Sequence, residues 1–130
     1  MRKAVFSEHA PTPVGPYSQA IMADDVLFVS GQLGIDPVSG KLAGGGVKAE
    51  AIRCLENVKA ILSSAGLEMK DIVKVTVFVT DISRFKEVNE AYAPFFHDPV
   101  PARSTVGVLA LPLGAKVEIE VVAVKSKPSP

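Results

Sequence analysis

Residues 72–80 read Ile72-Val73-Lys74-Val75-Thr76-Val77-Phe78-Val79-Thr80, and their alternation decides the fold. Valines at 73, 75, 77 and 79 take one face of a strand, while Ile72, Lys74, Thr76, Phe78 and Thr80 take the other. Val117–Val124 reads as a second such strand, and both stretches carry apolar residues on each face. A sheet built on them needs cover on both sides. N-terminal to it, Val47, Ala51, Leu55, Val58, Ile61, Leu62 and Ala65 recur at helical spacing, with Gly66 placed as a C-terminal cap. C-terminal to it, Ser83 to about Ala93 reads as a second helix with Phe85, Val88 and Tyr92 on its apolar side, stopped by Pro94.

Further out, residues 2–7 read as an edge strand and Ala10–Pro16 as an extended, proline-punctuated loop. Ala20–Met22 and Val26–Ser30 form a hairpin across Asp24-Asp25. Gly31–Gly46 is glycine-rich loop with a turn at Asp36–Gly40, and Arg103–Val108 is a strand parted from Val117–Val124 by a Leu-Pro-Leu-Gly turn. The order βββ–α–β–α–ββ predicts an α+β fold, one mixed sheet in a domain spanning 1–124, with 125–130 a frayed tail. Two helices cover one sheet face only, so the other is expected to be buried against another copy of the chain.

Composition narrows the function. Of 130 residues 48% are hydrophobic and 22% charged, with 14 basic and 14 acidic side chains, so no net field draws the chain to nucleic acid or anionic membrane. No apolar run approaches the ~20 residues needed to span a bilayer. The N-terminus, MRKAVFSEHAPTP, has no apolar signal core, and a cytoplasmic address is expected. One cysteine, Cys54, and two histidines, His9 and His97, make a disulfide framework or a zinc site unexpected, and no cofactor is expected. Gly44-Gly45-Gly46 precedes a helix but lacks the Gly-Lys-Ser/Thr of a phosphate loop. Cys54 reads as a buried, inert thiol.

Three segments carry chemistry. Tyr17, in Gly15-Pro16-Tyr17-Ser18-Gln19, either offers its hydroxyl to a ligand or packs beside a proline turn. Arg103 begins a strand just after the Val100-Pro101 turn. Glu118 and Glu120 share one face of an otherwise apolar strand, about 6.5–7 Å apart. Carboxylates there are costly unless paired or used. One reading is a structural bridge from Arg103 to a glutamate. The other is that the planar guanidinium grips a substrate carboxylate while a glutamate orients water.

At these residues the sequence resembles the RidA family (reactive intermediate deaminase A, also called YjgF) from about Glu8 to Val124. The resemblance is carried by Gly15–Ala20, Val29–Gln32, Leu55–Leu62, Val73–Phe78, Val88–Tyr92, Pro101–Ser104 and Val117–Glu120. It implies a chorismate-mutase-like sheet with two helices on one face, homotrimers, and a ligand site at each subunit seam. It implies hydrolysis of 2-imino acids, such as 2-iminopropanoate and 2-iminobutanoate, to 2-oxo acids and ammonia. It implies that such imines arise from enamines released by pyridoxal-phosphate-dependent dehydratases and would otherwise damage other pyridoxal-phosphate enzymes. Arg103 would hold the substrate carboxylate, Glu118 would position water, and Tyr17, Ser30, Gly31, Asn89 and Thr105 would line the pocket. Glu120 would be left to a structural partner or an intersubunit contact. Thr105 stands where many members have cysteine, and Val100 replaces a commonly aromatic residue, widening the pocket. The rival readings are a non-catalytic module that binds keto or amino acids, and an RNA-cleaving or chaperone role. The neutral charge balance argues against RNA.

Overall fold

The computed structural model describes residues 1–126. Six strands form one sheet: β1 (Arg2–Val5), β2 (Ala20–Ala23), β3 (Val26–Leu33), β4 (Ile72–Val79), β5 (Ala102–Gly107) and β6 (Val117–Val124). They lie in the order β1-β2-β3-β6-β4-β5. Only β4 and β5 run parallel, and they are joined through α2 (Phe85–Tyr92). The longer helix α1 (Val47–Ser64) links β3 to β4, packs on β3 and β6, and carries α2 beside it.

Helical periodicity places Val47, Ala51, Cys54, Leu55, Val58, Ile61 and Leu62 in the core, against Val75, Val77 and Val79 of β4 and Val117, Ile119, Val121 and Ala123 of β6. Gly66, at φ 75°, ends α1 as expected. The Gly66 amide donates to the Ser63 carbonyl and the Leu67 amide to the Leu62 carbonyl, which satisfies two carbonyls at the helix end. Asn57, fully buried, donates Nδ2 to the carbonyls of Leu33 (3.1 Å) and Ile35 (2.9 Å), tying the exit of β3 to the helix. Gly34 lets that exit pass close, since a Cβ there would lie 2.6 Å from the Glu50 carbonyl oxygen.

The α+β order, the mixed sheet and the two helices on one face are as the sequence predicts. Several details differ, beginning with β1, which ends at Val5 rather than at residue 7 because its pairing with β2 stops at Val5 opposite Ala20. Strict alternation along β4 fails at its start, because the register against β6 slips between Ile72 and Lys74. The extra residue turns Val73 outward, 48% exposed, and Ile72 takes its place in the core. β3 runs on through Gly31 to Leu33, where loop was expected, because β6 continues to pair with it as far as Leu33 opposite Glu118. α2 is shorter than 83–93: tight 3-10 turns at Ile82–Arg84 and Ala93–Phe95 flank it, and Asp81 caps the first by accepting from the Ser83 amide. The expected fraying of the tail falls mostly on residues 127–130, outside the described residues. Lys125 donates its amide to the Asp25 carbonyl.

Among the described residues the second sheet face carries no helix. Phe28, Val106 and Val124 stand at 51%, 43% and 38% exposure, around half-buried Phe78, Glu118 and Val122. Among the described residues no helix is long and apolar enough to cross a membrane.

Candidate functional site

Pairing with β4 fixes where Arg103 points. Arg103 lies opposite Val75, whose side chain is buried beneath the helices, so Arg103 rises on the helical side of the edge strand β5. There α2 meets it with Phe85, Asn89 and Tyr92, which recur at i, i+4 and i+7 and so share one stripe. The guanidinium donates from Nη2 to Asn89 Oδ1 at 2.7 Å. Its central carbon lies 4.7 Å from the centre of the Tyr92 ring and 5.4 Å from that of Phe85. Tyr92 in turn stacks on Phe96, with ring centres 4.3 Å apart. Among the described residues Arg103 has no carboxylate partner, and its charge is left for something else. Thr105 follows two positions along the same side of β5. Its Oγ1 and the Tyr92 hydroxyl are both buried without a hydrogen-bond partner among the described residues. Burial pushes the Tyr92 hydroxyl pKa up, against a smaller opposing pull from Arg103.

A second cluster sits on the open face. Glu118 lies opposite Phe78 on β4 and Leu33 on β3. The β3 register slips between Val29 and Gln32, so Ser30 and Gly31 bulge towards the open side. Glu118 fills the space above Gly31: a Cβ on Gly31 would stand 2.7 Å from Glu118 Cδ and 3.0 Å from its Cγ and Oε1. Gly31 is not in the left-handed region. Its lack of a side chain serves this close approach. Ser30 donates its Oγ to the Ser18 carbonyl at 2.7 Å and its amide to the Gln19 carbonyl at 2.9 Å, which draws the Tyr17–Ser18 segment alongside. Gln19 is buried and grips the proline-rich segment through Ser7 and Pro11. Tyr17 is half exposed, its hydroxyl accepting from the Val14 amide at 3.3 Å. Burial raises the Glu118 carboxyl pKa, and the neighbouring charge of Glu120 raises it further. Glu120 itself is exposed, with no ion pair among the described residues.

The structure therefore groups Arg103, Asn89 and Thr105 on one side of the sheet, and Ser30, Gly31 and Glu118, with Tyr17 near them, on the other. The bridge between Arg103 and a glutamate that spacing left open does not form within the chain. Arg103 shares the face of Val75, and Glu118 that of Phe78, three residues along β4 and on the opposite side. The sequence pattern marks Phe85 and Tyr92 only as packing residues. The signal that they surround the arginine was Asn89, a polar residue set between two aromatics on one helical stripe. Cys54 is buried, its thiol pKa raised by burial, as expected of an inert cysteine.

These features define a class: a small α+β chain with an aromatic-flanked arginine that has no carboxylate partner among the described residues on one sheet face, and a seated glutamate of raised pKa on the other. The family described as Endoribonuclease L-PSP matches residues 7–125. A RutC family protein of Aquifex aeolicus is 57% identical over 125 residues, covering 95% of this chain and 99% of its own. A 2-iminobutanoate/2-iminopropanoate deaminase of Bos taurus is 46% identical over 125 residues, covering 96% of this chain and 91% of its own. The crystal structure of E. coli TdcF with bound serine has a TM-score of 0.89 at 42% identity, covering 95% of this chain and 99% of that one. The chain belongs to the RidA/YjgF family, as the resemblance of its motifs implied.

Proposed function

We propose that this protein is a cytoplasmic, cofactor-free hydrolase that converts 2-imino acids, 2-iminopropanoate and 2-iminobutanoate among them, to 2-oxo acids and ammonia. It works as a homotrimer in which Arg103 of one copy faces Glu118 of the next. The observation that carries the reading is the guanidinium of Arg103, oriented by neutral groups and left free to take a carboxylate. Relatives named as imine deaminases support it, as does a relative solved with serine, whose carboxylate and adjacent nitrogen a 2-imino acid shares. The separation of Arg103 and Glu118 by the sheet supports a shared site, since two copies can bring together what one keeps apart.

The chemistry needs few groups. Arg103 accepts the substrate carboxylate in a two-pronged contact. Glu118 orients a water against the imine carbon and takes its proton as the C–O bond forms, which shifts the C=N electron pair to nitrogen. That proton passes to the nitrogen to give the neutral carbinolamine. Glu118 then takes the carbinol hydroxyl proton as the C=O bond forms and hands it to the nitrogen, which leaves as ammonia as the C–N bond breaks. A carboxyl of raised pKa suits both halves of that relay. Tyr17, Ser30, Gly31, Asn89 and Thr105 line the pocket. Removing such imines protects pyridoxal-phosphate enzymes.

The test is complementation. Arg103→Ala and Glu118→Gln proteins, each inactive alone, are unfolded together and refolded as a mixture. Under random mixing roughly a quarter of seams pair an intact arginine with an intact glutamate, and activity should return to about that level. Formation of 2-oxo acid from the imine released by a dehydratase acting on threonine is the readout. No recovery from mixed oligomers would remove the shared site, and wild-type protein that binds 2-oxo acids without speeding hydrolysis would make the chain a binding module.

A further inference from the structure

We infer that Phe85 and Tyr92 are positioning residues, which with Asn89 form a neutral clamp on α2 that fixes the plane of the Arg103 guanidinium. The inference rests on the proposed role of Arg103. An arginine that must grip a small carboxylate needs a fixed orientation, because its fork is useful only when aimed. The usual way to hold an arginine is a carboxylate, but that would neutralise the charge the substrate requires. Here the same end is reached with two ring faces, 4.7 Å and 5.4 Å from the guanidinium carbon, and one amide oxygen at 2.7 Å. Rings attract the cation through their quadrupole and an amide accepts one N–H, and neither cancels the charge.

Core packing does not account for the aromatic at position 85. Phe85 is 42% exposed, beside Arg84, which turns away to bond Glu87 at 2.9 Å. Tyr92 packs in the core and stacks on Phe96, and its ring at the same time faces the guanidinium. What the two positions share is a ring face near the guanidinium. Asn89, between them on the stripe, presents its oxygen inward, because only that atom can accept from Nη2.

The experiment uses full-length protein with Phe85→Leu, which keeps an apolar side chain at a half-exposed position but removes the ring, and Phe85→Tyr, which keeps the ring. Nitrogen NMR of the arginine side chains gives a readout independent of any ligand. Resolved, slowly exchanging Nη signals for Arg103 are expected in wild type and Phe85→Tyr, and averaged signals in Phe85→Leu. In kinetics with the imine, Phe85→Leu should raise KM by about 3–30-fold, the range of one cation–π contact, and Phe85→Tyr should restore it. In an Arg103→Lys background the same leucine change should have a smaller effect, since an ammonium still feels the ring but has no plane to hold. Averaged Nη signals in wild type, or a leucine variant that matches wild type in both measurements, would overturn the clamp. Loss of hydrolysis in wild type with the Nη signature intact would instead remove the proposed function and leave the clamp standing.

Discussion

Replacing Gly31 with alanine tests the seat of Glu118 with a single methyl group. The added Cβ would lie 2.7 Å from Glu118 Cδ. Carbon atoms make contact at about 3.5–4.0 Å, so the overlap is roughly 1 Å. The backbone at Gly31 accommodates a side chain, and the crowded atoms belong to the end of a flexible glutamate. The carboxylate should therefore move and the sheet should not. A misplacement of ~1 Å in a group that must hold a reacting water costs about 100-fold in rate. Alanine also restricts the unfolded chain, which by itself stabilises by about 0.4–1 kcal/mol. The expected Gly31→Ala protein thus melts at or slightly above the wild-type temperature and binds a 2-oxo acid nearly as well. Its kcat for imine hydrolysis falls by about 100-fold. Thermal melting, calorimetric titration with 2-oxobutanoate and the dehydratase-coupled assay give the three numbers. In a Glu118→Gln background the alanine should add little, because the carboxylate it displaces is already gone. Wild-type turnover by Gly31→Ala would refute the placement of Glu118 at the reacting water.

Other expectations follow from the same geometry. Asn89→Asp keeps an acceptor beside the Arg103 Nη2 but adds a charge that competes with substrate. It should weaken 2-oxo acid binding by about 10–100-fold without lowering the melting temperature. Arg103→Lys keeps the charge and loses the fork, which at roughly 1.5–3 kcal/mol per charged hydrogen bond predicts about a 10–100-fold fall in kcat/KM with assembly unchanged. Because burial and Glu120 both raise the Glu118 pKa, the acid limb of the pH–rate profile should lie above the ordinary glutamate range. Glu120→Gln should move it down, and an unmoved limb would dissociate it from Glu118. A carboxyl whose folded pKa exceeds its unfolded one contributes stability below the unfolded value and loses it as pH rises through the folded value. Glu118→Gln should therefore melt slightly higher than wild type at neutral pH while hydrolysing poorly.

The sequence made the elements legible where one period governed a long stretch. α1, β4 and β6 were found because burial repeats along them at 3.6 and at 2 residues. The misses at Val73 and Gly31–Leu33 come from β-bulges, where one extra residue in a strand shifts the alternation and nothing in local composition announces it. The site divides along the same line. That Glu118 and Glu120 share a face followed from period 2 within one strand. Whether Arg103 shares that face depends on how β5 registers against β4 and β4 against β6, and pairing registers are non-local. Spacing alone therefore left the Arg103–Glu bridge open, and the register rules it out within one chain. Only the pairing shows that the helical stripe of Phe85, Asn89 and Tyr92 meets Arg103, while the glutamate settles over a glycine on the far side of the sheet. A small molecule reaching both groups must lie where the helical side of one copy's sheet edge meets the open face of another. The exposed apolar residues of that open face, Phe28, Val106 and Val124, are what such a contact would bury. Cover for the sheet and completion of the site would then be one event, and hydrolysis should fall in step with trimer as the protein is diluted. Full specific activity retained by protein diluted to a monomer would separate the two.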